Sequence, residues 1–324
     1  MKTLQLHIQF FRAISVLLVF FYHLESEFFK FGYLGVDIFF VISGYVITSR
    51  LYDELLRNNK INYLSFFTRR FKRIFPVLFF IISIVLVFII FFQPLDLILG
   101  NITVYFFTIF GLSNLYYLFS KKDYFDNVFE DVFGHTWSLG VEEQFYLIFP
   151  FVLYFIYKLF SKWNNQIFFL IIIILSSIYL TFNFSENLQL IFYSPIFRFW
   201  EFLIGSLVFI FNCKYQIKNS ILSILSFIIL LAFLMFDLYP NNFFAILAST
   251  LLASAFILFY DENNKFSFLF ENKYFVSLGN ISYSFYLWHL PIIYFYDLYF
   301  ENFLIKVPLT FFLTIFFSII SYSF

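Results

Sequence analysis

The strongest constraint on this chain is a series of apolar runs, each about as long as a bilayer is thick. A spanning helix needs roughly 17–25 apolar residues. Runs of that order fall at residues 8–24, 33–51, 75–92, 139–160, 167–184, 195–211, 221–236, 243–260, 275–295 and 305–324. Inside hydrocarbon every backbone N–H and C=O must bond internally, which restricts crossing segments to helices and closed barrels. Uninterrupted runs of this length predict an all-α fold, a polytopic membrane bundle of about ten transmembrane helices.

Composition agrees. The chain is 62% hydrophobic and 12% charged, and Phe alone supplies 60 of its 324 residues. A soluble domain has no way to hide that much apolar surface, and mean hydropathy is +0.87. Zero net charge removes any case for nucleic acid as a partner. A single cysteine, Cys213, excludes an internal disulfide framework and a thiolate-rich metal site. Lys2 and the apolar stretch after it resemble a secretory leader. No small-residue cleavage site follows, and Arg12 lies too deep, so we read a retained first span.

Residues 97–119 are apolar but run into the acidic stretch DYFDNVFEDVFG. Basic residues decide their path, because Lys and Arg collect in cytoplasmic loops. If this segment does not cross and the N-terminus is cytoplasmic, only Lys30, Lys121, Lys122 and Lys306 fall outside, with Arg12 and Arg198 inside spans. If it did cross, every later basic loop would move outside. The sequence therefore predicts a re-entrant or surface-lying segment here. Neither an internal repeat nor a linker is visible, so residues 1–324 read as one transmembrane domain. The chain stops within an apolar run at SYSF, which reads as a truncated C-terminus.

Several ionisable residues sit at membrane depth, where each costs about 2.5–3.5 kcal/mol or more and usually faces a cavity. Arg12 and His23 are eleven residues apart, which returns to the same helix face about 16 Å further along. Asp37 follows in the second span. His135, Trp137, Ser138, Glu142 and Glu143 cluster at the mouth of a later span, in HTWSLGVEEQFYLIFP. Adjacent carboxylates diverge around a helix, so Glu142 and Glu143 must point different ways. The set lacks HExxH spacing and reads as no metal site. No G-x-S-x-G elbow surrounds Ser138. Arg198 and Glu201 stand at i, i+3, as an internal ion pair or as pore-lining groups. Ser282, Tyr286 and His289 share a helix face. Finally, TRRFKRIFP packs Arg69, Arg70, Lys72 and Arg73 against Pro76. Such a cluster sets topology and binds lipid headgroups. Its density also suits a cytoplasmic ligand bearing several phosphates, which arginine grips bidentately.

Taken in order, R-x10-H at Arg12–His23, GYLGVDIFFVISGYVIT, RRFKRIFP, HTWSLGVEEQFY, SPIFRFWEFLIG and ISYSFYLWHLP resemble the membrane acyltransferase-3 family, over nearly the whole chain. Gly140 stands where that family usually has Ala. The final SYSF is similar to the start of the family's SYxFIExP segment. The resemblance implies an integral O-acyltransferase, mostly of ten spans, in the bacterial inner (cytoplasmic) membrane. It implies an acyl-CoA donor, usually acetyl-CoA, used as a substrate and not held as a permanent cofactor. The implied acceptor is a sugar hydroxyl outside, on a surface polysaccharide, lipopolysaccharide or lipid-linked glycan. Carried over by position, the R-x10-H pair is Arg12 and His23, the CoA-binding arginines are Arg69, Arg70 and Arg73, and the outer motif is Trp137, Ser138, Glu142 and Glu143. Some members add a soluble SGNH esterase-like domain, and residues 1–324 contain none.

Acyl transfer needs a base for the acceptor hydroxyl, which suits His23. It also needs positive charge at the developing oxyanion, which suits Arg12. Direct transfer and an acyl-histidine route both remain open. The competing class is a polar-solute transporter or channel with these charges as its pathway.

Overall fold

The computed structural model describes residues 5–25, 27–120, 131–160, 162–236, 241–264, 266–300 and 303–322. Lys2, Lys121, Lys122, Lys265, most of the acidic stretch and the terminal Ser323 and Phe324 lie outside the described residues. Among the described residues every regular element is helical. In chain order they are α1 (Leu6–His23), α2 (Gly35–Asn58), α3 (Tyr63–Phe92), α4 (Leu95–Ile109), α5 (Ser113–Ser120), α6 (Trp137–Leu159), α7 (Trp163–Asn183) and α8 (Leu188–Tyr193). There follow α9 (Phe199–Tyr215), α10 (Ser220–Met235), α11 (Asn242–Phe259), α12 (Ser267–Phe270), α13 (Lys273–Asn280), α14 (Ser282–Tyr299) and α15 (Phe303–Tyr322).

Seven of the described helical stretches are long and apolar enough to cross a membrane: α1, α2, α3, α6, α7, α11 and α15. The chain is thus an integral, all-helical membrane protein. The sequence reading also counted α9, α10 and α14 as spans. The first two are only 17 and 16 residues long, and α14 carries more polar groups.

Asparagines set many of the starts. The side chains of Asn62, Asn187, Asn219, Asn241 and Asn272 each accept a backbone N–H in the first turn of the helix that follows. Such caps satisfy donors that a helix leaves unpaired. Asn62 therefore begins α3 twelve residues before the expected span, and the whole TRRFKRIFP run is helical. That places its arginines at fixed angles around one axis. At the other extreme, the expected span 275–295 is broken, with α13 ending at Asn280 and α14 starting at Ser282.

The segment 97–119 folds back as expected. Helix α4 runs antiparallel to the second half of α3, with Ser83 Oγ 3.3 Å from Tyr105 Oη and Asn101 Nδ2 donating to Gln93 Oε1 at 3.1 Å. The chain reverses at Gly111, whose φ of +65° is open to glycine but strained for other residues. Helix α5 then returns, and Ser113 and Tyr117 donate to the Thr136 carbonyl and the Asp131 carboxylate. Lys158 Nζ, at the end of α6, donates to Asn59 Oδ1, just past the end of α2. Helices α2 and α6 therefore finish at one end of the bundle, which we call the basic end, while α3 runs away from it. The α4–α5 hairpin must start and finish at the opposite end.

Packing is closest between α2 and α9. A Cβ on Gly44 would overlap the Phe202 carbonyl, and one on Gly205 would overlap the Val41 carbonyl. Lipid supplies little hydrophobic drive between helices, so association relies on close backbone approach at small residues. The contact fixes the face of α2 that meets α1 and α6, and the face of α9 that meets α7 and α11.

Candidate active site

Helices α1, α2, α3, α6 and α14 enclose a cavity of about 90 Å³. Arg12 of α1 and Arg70 and Arg73 of α3 line it, together with Ser43, Glu142, Tyr146, Ser138, Tyr283 and Tyr286. Arg70 and Arg73 are three residues apart and so share a face of α3. The Arg70 guanidinium lies 4.3 Å from the Tyr146 ring centre, a cation–π distance. Glu142 accepts hydrogen bonds from Ser43 and Tyr146. Among the described residues Arg12 makes no hydrogen bond or ion pair, and the charges that act on it are Arg73, Glu142 and Arg70. Three guanidiniums against one carboxylate leave the chamber electropositive and suited to an anion.

Arg69 does not join them. It is exposed on another face of α3, against Ser65. Arg50 of α2, outside the candidate set, is within electrostatic reach of Arg70, Arg73 and Arg69. Neighbouring Glu143 turns away as the helix geometry requires. It faces a second cavity of about 380 Å³, bounded by α3, the α4–α5 turn and α6.

His23 lies outside the arginine cavity, although it shares a helix face with Arg12. It is buried at the end of α1 against two further histidines. His289 Nε2 is 3.3 Å from His23 Nδ1, and the two ring centres are 5.0 Å apart. The ring of His135, from the turn before α6, is 5.1 Å from that of His289. Tyr286 stands between this cluster and the cavity. Its ring lies 5.2 Å from His289 and 5.3 Å from His135. Its hydroxyl bonds Ser138 Oγ at 2.7 Å and donates to the His135 carbonyl at 2.8 Å. Sequence reasoning left His289 out of the site. Its available signal was the shared face of Ser282, Tyr286 and His289, but no spacing rule joins residues 23, 135 and 289.

Asp37, Arg198 and Glu201 meet away from both cavities. Arg198 Nη1 lies 2.5 Å from Asp37 Oδ1 and 2.7 Å from Glu201 Oε1, with all three side chains buried. Trp137, Phe192 and Phe40 surround the guanidinium at 5.4, 5.1 and 5.7 Å. The sequence reading put these three charges, and Trp137 with them, on the acceptor or pore side; they form a buried network tying the start of α2 to the start of α9, at the end of the bundle opposite the basic end. The ion-pair reading of Arg198 and Glu201 fits, with Asp37 added from a distant part of the chain.

The profile of a family described as "Acyltransferase domain" matches residues 6–323. O-acetyltransferase OatA of Staphylococcus aureus (strain NCTC 8325 / PS 47) is 34% identical over 308 residues, covering 89% of this chain and 50% of that protein. Peptidoglycan O-acetyltransferase OatA of Listeria monocytogenes is 31% identical over 310 residues, covering 87% of this chain and 48% of that protein. The chain spans about half the length of these curated relatives. No solved structure matches it significantly. With a match from end to end and the arginine and histidine motifs gathered around one axis of the bundle, the chain belongs to the acyltransferase-3 family of membrane proteins.

Proposed function

We propose that this chain is the membrane part of an O-acyltransferase. It takes an acyl group, acetyl by preference, from acyl-CoA at the basic end and delivers it to a sugar hydroxyl at the opposite end. The observation that carries the reading is the cavity in which Arg12, Arg70 and Arg73 converge with one carboxylate to balance them. CoA bears several phosphates, and arginine forks match them bidentately. Arg50 adds a fourth cation within reach. The basic end then faces the cytoplasm, as expected where Lys and Arg collect, and the membrane is the bacterial cytoplasmic one.

His23 serves as general base. The acceptor O–H gives its proton to the imidazole while the oxygen bonds the acyl carbon. The C–S bond breaks, and the departing thiolate recovers a proton from the imidazolium. Arg12 lies on the donor side of Tyr286, away from His23, and holds the negatively charged donor. The relative named for peptidoglycan favours a cell-wall glycan over lipopolysaccharide as acceptor. Against the transporter alternative, no internal repeat is visible in the sequence, and the converging arginines suit a donor bearing several phosphates better than a solute pathway. Mass spectrometry of wall glycan from cells with and without the gene tests the proposal. Loss of one acetyl group per modified sugar is expected, and an unchanged glycan would overturn it.

A further inference from the structure

We propose that His289 is the positioning partner of His23, accepting the His23 Nδ1–H through its own Nε2. The inference rests on the reading of His23 as the base in acyl transfer. It starts from two backbone carbonyls, which can only accept. His23 Nδ1 lies 2.9 Å from the Val19 carbonyl, so that nitrogen carries a hydrogen. His289 Nδ1 lies 2.5 Å from the Tyr286 carbonyl, so it too is protonated. The neutral His289 ring therefore presents its lone pair at Nε2, 3.3 Å from His23 Nδ1. The His23 hydrogen is shared between the Val19 carbonyl and this lone pair.

Two consequences follow. The tautomer of His23 is fixed, which leaves its Nε2 unprotonated and available to a hydroxyl. The orientation of the ring is fixed as well, between an atom of its own helix and an atom of α14. When His23 takes the acceptor proton on Nε2 it becomes an imidazolium. Its Nδ1–H then donates more strongly, and His289 Nε2 is the acceptor that faces it. Both rings are buried, so water does not substitute for this bond. His289 never touches the reacting atoms and acts through His23.

The test separates positioning from packing by the two amide replacements. Glutamine puts a carbonyl oxygen where His289 Nε2 stands. Asparagine reaches only the Nδ1 position, where it can still bond the Tyr286 carbonyl. Each variant is made in the full-length protein, and release of CoA thiol from acetyl-CoA is followed in membranes supplied with acetyl-deficient wall glycan. His289→Ala and His289→Asn are expected to lower kcat about 10- to 100-fold, below the roughly 10²- to 10⁴-fold contribution of a general base. KM for acetyl-CoA should stay unchanged, and His289→Gln should recover most of the rate. In a His23→Ala background none of the three should lower the residual rate further. Recovery by asparagine but not glutamine, wild-type kcat in His289→Ala, or additive loss in the double variant would overturn the proposal. A His23→Ala protein that works normally, or a wild type that transfers nothing, would overturn the acyl-transfer reading and this proposal together.

Discussion

The hydroxyls of Tyr286 and Ser138 meet at 2.7 Å, and this contact divides the arginine-lined cavity from the three histidines. Tyr286 also reaches the His135 carbonyl, so one side chain of α14 holds both the last turn before α6 and its first turn. Tyr286→Phe keeps the ring and removes both bonds. At about 0.5–1.5 kcal/mol each, the loss should come to ~1–3 kcal/mol. Ser138→Ala removes that contact and the serine's own 3.2 Å bond to the His135 carbonyl, and should cost a similar ~1–3 kcal/mol. Thermal midpoints of the purified variants check both, and midpoints equal to the wild type would show that the contact is incidental.

The arginines of α3 should separate by face. Arg70→Gln and Arg73→Gln should each raise the apparent constant for acetyl-CoA about 10- to 100-fold, since a charge-assisted bond contributes roughly 1.5–3 kcal/mol. Lysine should lose less than glutamine, because charge remains although the fork does not. Arg69→Gln, whose side chain is exposed and turned to Ser65, should change affinity little. Titration of acetyl-CoA into each purified variant reads all of these.

Arg198→Gln should damage stability and not donor affinity. It leaves two buried carboxylates, Asp37 and Glu201, without their cation. Breaking a buried network in this way costs about 3–5 kcal/mol. A triple variant with apolar residues at all three positions should recover much of that loss. Both effects are read from thermal unfolding in detergent, and a stable Arg198→Gln protein would contradict the structural assignment.

Topology has a direct check. In a Cys213→Ser background, Lys60→Cys should label only after the membrane is permeabilised, while Ser120→Cys should label in intact cells. Labelling of Ser120→Cys only after permeabilisation would mean that the α4–α5 segment crosses.

The spans and the returning segment were legible because both rest on local quantities: apolar length and the placement of Lys and Arg. The divergence of Glu142 and Glu143 was legible for the same reason, being a property of any helix. The grouping of side chains from different helices was not. Arg69 and Arg70 are adjacent in sequence, yet only Arg70 faces the cavity, because Asn62 fixes where α3 begins and its packing fixes the rotation. Asp37 reached Arg198 only through the close approach of α2 and α9 at Gly44 and Gly205. Arg12 and His23 do share a face, as periodicity requires, but Tyr286 comes between them from α14, and periodicity on α1 carries no sign of it.

The most direct measurement is transfer of radiolabelled acetyl from acetyl-CoA to wall glycan by membranes holding either wild-type or His23→Ala protein at equal abundance. The account predicts labelled glycan with the wild type, label lowered about 10²- to 10⁴-fold with His23→Ala, and unchanged acetyl-CoA affinity in both. Label at the wild-type level in His23→Ala membranes would contradict it.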